Sequence, residues 1–151
     1  MIPLYANLIF VFSLLLIALA MVGWRRRAVP GAIHFFGFCL SMAIYFSGYA
    51  LELHSTTLNG MNASSLMQYI GIPLFPAFWG LLAVSCMQRR NPDRRTTAAL
   101  LLIPLVTCVM RFTDQLHGLV YRSVQMDGSR DIPLLQFEPG PWYWVHMVYI
   151  N

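Results

Sequence analysis

Four stretches of roughly twenty apolar residues, parted by short polar or basic segments, constrain this chain more than anything else in it. A helix rises about 1.5 Å per residue, so each stretch is long enough to cross a hydrocarbon core of roughly 30 Å. In lipid every backbone polar group needs a partner inside the protein, and a helix supplies one within the segment itself. A composition of 58% hydrophobic and 11% charged residues, with mean hydropathy +0.59, does not fit a water-soluble domain of 151 residues. The sequence therefore predicts an all-α, multi-pass membrane protein embedded in a lipid bilayer. Its bundle has four complete helices and the start of a fifth, at about 2–24, 31–53, 65–87, 96–112 and 141–151.

The charges give the bundle a direction. The formal net charge is +4 without a single lysine, and the arginines fall between apolar blocks rather than along a surface, which excludes nucleic acid as a partner. Arg25, Arg26 and Arg27 close the first block, and Arg89, Arg90, Arg94 and Arg95 close the third, around an Asn91-Pro92 turn. Arg111, Arg122 and Arg130 lie at the opposite ends. By the positive-inside rule the two clusters are cytoplasmic and the amino terminus is outside. Ala18-Leu19-Ala20 resembles a signal cleavage site, but the basic charge follows the apolar stretch instead of preceding it, so an uncleaved helix is expected. Cys39, Cys86 and Cys108 lie inside apolar runs with no metal or redox spacing.

Between the second and third blocks, Glu52 to Ser64 carries no arginine and reads as a short external loop. The external segment from Thr113 to Gly140 is longer. Asp127-Gly128 stands between Leu119–Gln125 and Ile132–Phe137, and Asp-Gly supplies the positive φ angles of a tight turn, so a small β-hairpin is expected over about 119–137. After Gly140-Pro141 the run from Trp142 to Ile150 has the aromatic enrichment of a helix entering the bilayer. Ten helical residues reach only about 15 Å, half a crossing, so the native chain is expected to continue past Asn151.

His34, Gly37, Ser41, Tyr45, Gly48 and Glu52 recur at steps of three or four and share one face of the second helix. Small and polar residues on one face normally meet other helices, and Glu52, at the end of the stripe, is an ionisable group of the kind that marks a cavity. His54, Gln68, Tyr69, Asp114, His117, Trp142 and His146 fall at the same depth, so these residues and Glu52 are expected to converge on one external ligand pocket. Their spacings are too common to specify a metal, and no cofactor motif is present. Pro73 and Pro76 in the third helix and Pro104 in the fourth are hinge candidates, because each removes a backbone hydrogen bond. No catalytic constellation appears.

Four segments taken in order carry a family resemblance: Ser47-Gly48-Tyr49-Ala50-Leu51-Glu52-Leu53, Tyr69-Ile70-Gly71-Ile72-Pro73-Leu74-Phe75-Pro76-Ala77-Phe78-Trp79, Thr113-Asp114-Gln115-Leu116-His117-Gly118-Leu119, and Gly140-Pro141-Trp142-Tyr143-Trp144-Val145-His146. Together they resemble the amino-terminal seven-helix membrane region of bacterial histidine kinases, also found ahead of diguanylate cyclase domains. The resemblance implies a non-enzymatic sensor input in the bacterial plasma membrane, answering an unknown small-molecule signal. It also implies a cytoplasmic kinase or cyclase output domain beyond this chain, and a homodimer formed through it. The aspartate at 114 departs from the asparagine more usual there. The competing expectation is a small-solute or ion transporter fragment, since polar stripes and broken helices also line transport routes. It requires polar groups across the midplane, where this sequence offers only Ser41 and Tyr45.

Overall fold

The computed structural model describes residues 2–127 and 134–150. Its elements follow the order α1 (Ile2–Arg25), α2 (Ala32–His54), α3 (Leu58–Gly71), α4 (Leu74–Gln88), α5 (Arg94–Phe112), α6 (Asp114–His117), β1 (Tyr121–Asp127), β2 (Leu134–Pro139) and α7 (Pro141–Ile150). Four segments are long and apolar enough to cross a membrane: Leu4–Arg25, Ala32–His54, Leu58–Gln88 and Arg94–Phe112. The expected all-α membrane bundle with a small hairpin is the fold observed.

α1 turns small residues toward α2 and large ones away from the bundle. Ala6, Ser13 and Ala20, spaced by seven, are buried, whereas Leu4, Leu8, Val11, Leu15, Leu19 and Val22 are exposed and form a lipid-facing side. Lipid gives apolar side chains no reason to cluster, so close backbone approach and hydrogen bonds hold the pair instead. Ser13 Oγ donates to the Ala43 carbonyl at 3.1 Å and lies 2.6 Å from Ser47 Oγ.

α2 is the central helix, packed against α1, α3 and α4. At the arginine end Gly31 adopts a left-handed φ of 84° and its N–H donates to Asn91 Oδ1 at 2.8 Å, which ties the two basic turns together. Asp93 caps α5 by accepting the Thr96 N–H at 3.1 Å. Hydrogen bonding from the Thr96 side chain, and then from its backbone N–H, holds the Asp93 carboxyl below its usual range.

The third crossing departs from expectation at both its start and its middle. Glu52–Ser64 is not a loop: α2 continues to His54, and α3 begins at Leu58 after residues 55–57. The Thr57 hydroxyl accepts the Gly60 N–H at 3.2 Å as an N-cap, and Met61, Ser64 and Ser65 are buried. The small polar residues that read as loop are the ones that let α3 lie close along α2. A Cβ at Gly48 would press on Gln68 and the Ser64 carbonyl. The crossing is then interrupted at Pro73, which stands between α3 and α4 because it offers no N–H to continue the ladder. Pro76 sits in the first turn of α4, where N–H groups have no helical partner anyway. Pro104 alone of the three lies inside a helix, α5. Joined, the 31 residues from Leu58 to Gln88 span about 46 Å at 1.5 Å each, more than a hydrocarbon core, so the first turns of α3 project beyond it.

β1 and β2 form the antiparallel hairpin, with Ser123 opposite Glu138, Val124 opposite Phe137 and Gln125 opposite Gln136. A register irregularity between Tyr121 and Ser123 precedes the regular pairing. The strands run two residues later than expected at each boundary, and Asp127 pairs with Leu134 inside the ladder. The Asp127-Gly128 turn expected from sequence falls on Gly128, which with 129–133 lies outside the described residues. Anchoring at the base sets this register. Gly140 N donates to Val120 O at 2.8 Å and Trp142 N to Leu119 O at 2.9 Å, and Tyr69, Val120 and Tyr121 form the buried cluster beneath, with Ile72, Met110, Val124, Trp142 and Tyr143 packed around it.

Candidate functional site

Two cavities at the hairpin end share Tyr121 as a wall, with Arg111 lining one and Tyr69 the other. Arg111, near the end of α5, is 3% exposed, which for a guanidinium demands explanation. Its Nη2 donates to Asn62 Oδ1 at 2.9 Å and to Ser65 Oγ at 3.4 Å. Its Cζ lies 4.8 Å from the Tyr121 ring centroid and 5.5 Å from the Tyr69 centroid, so two aromatic quadrupoles lie against the charge. Nη1 is 3.8 Å from Asp114 Oδ2, an attraction between charges rather than a hydrogen bond, while Nε has no partner among the described residues.

Asp114 is buried and is spent on the backbone. Its two carboxylate oxygens accept the N–H groups of Val120 and Tyr121, each at 2.9 Å, and so fix where the chain leaves α6 for the hairpin. The Tyr69 and Tyr121 hydroxyls meet at 2.5 Å, and burial holds the Tyr121 phenol far above its ordinary range. His117 Nδ1 accepts the Leu119 N–H at 3.1 Å, which places its proton on Nε2, 3.0 Å from Thr113 Oγ1. The 3.7 Å approach of that same Nδ1 to Asp114 Oδ1 is therefore not an ion pair in this arrangement.

The first cavity, about 320 Å³, is walled by α2, α3, both strands and α7. Tyr45, Tyr49 and Glu52 reach it from one face of α2, Gln68 and Tyr69 from α3, Tyr121 and Phe137 from the hairpin, and Tyr143 and His146 from α7. Gln68 Nε2 donates to Glu52 Oε2. His146 is 3% exposed and its Nε2 has no hydrogen-bond partner among the described residues. The second cavity, about 490 Å³, is lined by Asn62, Arg111, Asp114, His117 and Arg122 among others.

The eight residues expected to share a pocket are thus divided. Glu52, Gln68, Tyr69 and His146 line the first cavity, and Asp114 and His117 the second. His54 is exposed, bonded through Nδ1 to the Ala50 carbonyl at 2.8 Å, and Trp142 donates from Nε1 to Thr107 Oγ1 at 3.1 Å on the flank of α5. The stripe of α2 runs away from the cavity toward the arginine end. His34 Nδ1 lies 2.9 Å from Ser85 Oγ, which itself donates to Leu81 O, and a Cβ at Gly37 would collide with the Phe78 ring. Ser41 Oγ donates to the Gly37 carbonyl of its own helix at 2.8 Å.

The i, i+3 spacing of Arg111 and Asp114 reads as a local ion pair, the contact found at 3.8 Å, but sequence reasoning passes over the burial of Arg111 and over Tyr121, Tyr49 and Tyr143. Arg111 had a signal: an arginine in the last turn of an apolar crossing is costly unless paired. Tyr49 completes an i, i+4, i+7 row with Tyr45 and Glu52. Nothing local distinguishes Tyr121 or Tyr143, whose roles depend on the hairpin folding back.

Residues 8–151 match the family model described as the N-terminal 7TM region of histidine kinase. No curated protein and no solved structure matches the chain.

Proposed function

The chain belongs to the N-terminal seven-transmembrane region of histidine kinases, a membrane sensory input, and on that premise we propose that its signal is a small molecule received in the cavity beside Glu52 and His146. One observation carries this reading: the cavity is built from α2, α3, the hairpin and α7 together, so an occupant touches every element whose packing it must change. A ligand shifts an equilibrium only by its different affinity for two arrangements, and a site shared among separately movable elements provides that difference. The amino terminus lies outside, in the plasma membrane of a bacterium, because both arginine clusters sit at the opposite end of the bundle from the hairpin. The remaining crossings and a cytoplasmic kinase or cyclase follow this chain, and the output domain pairs two copies.

The test is autophosphorylation of the full-length protein in lipid nanodiscs. Glu52→Ala and His146→Ala, each verified as folded by thermal melting, are expected to shift the basal rate about fivefold or more, the scale of ordinary allosteric coupling. Folded variants that both phosphorylate at the parent rate would overturn the cavity as the control point.

A further inference from the structure

We infer that the first cavity takes a small organic cation, an amine or quaternary ammonium; this rests on the reading above and names the class of signal. The observation is the character of its walls. Tyr45, Tyr49, Tyr69, Tyr121, Phe137 and Tyr143 all line it. Their ring contacts fall into two groups. Tyr45 and Tyr49 lie parallel on α2, 6.4 Å apart with 4° between planes. In the other group Tyr121 stacks on Phe137 at 4.3 Å, Tyr143 lies 5.8 Å from Phe137, and Tyr69 stands edge-on to Tyr121 at 88°.

Aromatic faces carry negative quadrupole potential, and a ring-walled cavity attracts a cation more than a neutral molecule of the same shape. Glu52 adds the one carboxylate among the lining residues. Gln68 holds its Oε2, and Oε1 has no hydrogen bond among the described residues. Among the described residues no arginine lines this cavity, and the chain has no lysine. The neighbouring cation, Arg111, stays behind the Tyr69 and Tyr121 rings and opens on the second cavity instead. His146 Nε2, buried and unpartnered, offers a hydrogen bond to a polar end of the guest. At about 320 Å³ the space is at the small end of ligand sites, which run from roughly 300 to 1,000 Å³, so a monoamine or choline-sized ion fits and a peptide does not.

A neutral aromatic guest would also pack against rings, and an isosteric pair separates the two. Choline and 3,3-dimethylbutanol share a shape and differ in charge. Binding of each to the full-length protein in nanodiscs is measured by calorimetry or by the change in intrinsic fluorescence. Choline is expected to bind about tenfold or more tightly than the alcohol, and Glu52→Gln and Tyr49→Leu each to reduce that ratio toward one. Should Glu52→Gln fail to fold, the ratio in the parent protein and in Tyr49→Leu still decides. Equal binding of the two probes, or no binding of choline at about 10 mM, overturns the cation assignment and leaves the sensory reading standing. Choline binding without any link between the cavity and autophosphorylation does the reverse.

Discussion

Asp114 shows how one side chain can be legible as important and misread as to its task. Its position beside His117 and after an apolar crossing suggested a ligand group, but both carboxylate oxygens are taken by the Val120 and Tyr121 N–H groups. What it provides is a fixed exit from α6 and a negative charge 3.8 Å from the buried Arg111. An asparagine keeps one acceptor and turns an NH2 group toward the second N–H. Asp114→Asn is therefore expected to cost about 1–3 kcal/mol, the price of an unsatisfied buried donor beside a guanidinium that has lost its counter-charge. A fall of several degrees in the melting temperature of the purified protein checks this, and an unchanged melting temperature would assign Asp114 no structural part. Arg111 was the harder residue to read. Sequence gives the sign of a charge, its approximate depth and its i, i+3 neighbour, so Arg111 reads as a marker of the external side and an ion-pair partner of Asp114. Its burial against Tyr69 and Tyr121 depends on how α3 and the hairpin pack on α5.

Helices were legible where composition alone decides them. α1, α2 and α5 follow from blocks of apolar residues bounded by arginine, proline or a capping aspartate, and all three appear within a residue or two of their expected limits. α3 was hidden because its first half is rich in Asn59, Gly60, Asn62, Ser64 and Ser65, residues that favour loops in water. Against a neighbouring helix the same residues permit close approach, and Gly71 carries this furthest. A Cβ there would be driven into the backbone of Ser41 and Tyr45 on α2, whereas a Cβ at Gly80 on α4 meets nothing within 4 Å. Gly71→Ala is accordingly expected to destabilise the protein by about 1–3 kcal/mol through forced separation of α2 and α3. Gly80→Ala, which adds helix propensity in open space, is expected to be neutral or stabilising by up to about 1 kcal/mol. Thermal melts of the two variants in the same detergent make the comparison. Equal loss in both would show that the α2–α3 approach is not what Gly71 serves. The hairpin was legible in kind but not in register, since Asp127-Gly128 marks a local turn preference while the pairing is set at the other end, by Tyr121, Phe137 and Gly140.

For the molecule as a whole, orientation is the property on which the meaning of the cavities depends. The arginines at 25–27 and 89–95 lie at the end of the bundle where Gly31 bonds Asn91, and the hairpin with both cavities lies at the other. Positive residues resist transfer across the membrane, so the arginine end should be cytoplasmic and the hairpin end external. This inference is additive over many charges and does not require knowing how any helix packs, which is why sequence alone could frame it. The eight-residue pocket, by contrast, could not be drawn from depth alone. Depth places Asp114 and Glu52 together, and only packing shows that they line different cavities, with Tyr121 as the shared wall. Orientation can be checked after Cys39, Cys86 and Cys108 are replaced by serine or alanine. In intact cells Gln125→Cys should react with a membrane-impermeant maleimide, and Arg90→Cys should react only once the membrane is permeabilised. The opposite pattern would place the Glu52 cavity on the cytoplasmic side, and a cation received there would report the cell's own metabolism rather than its surroundings.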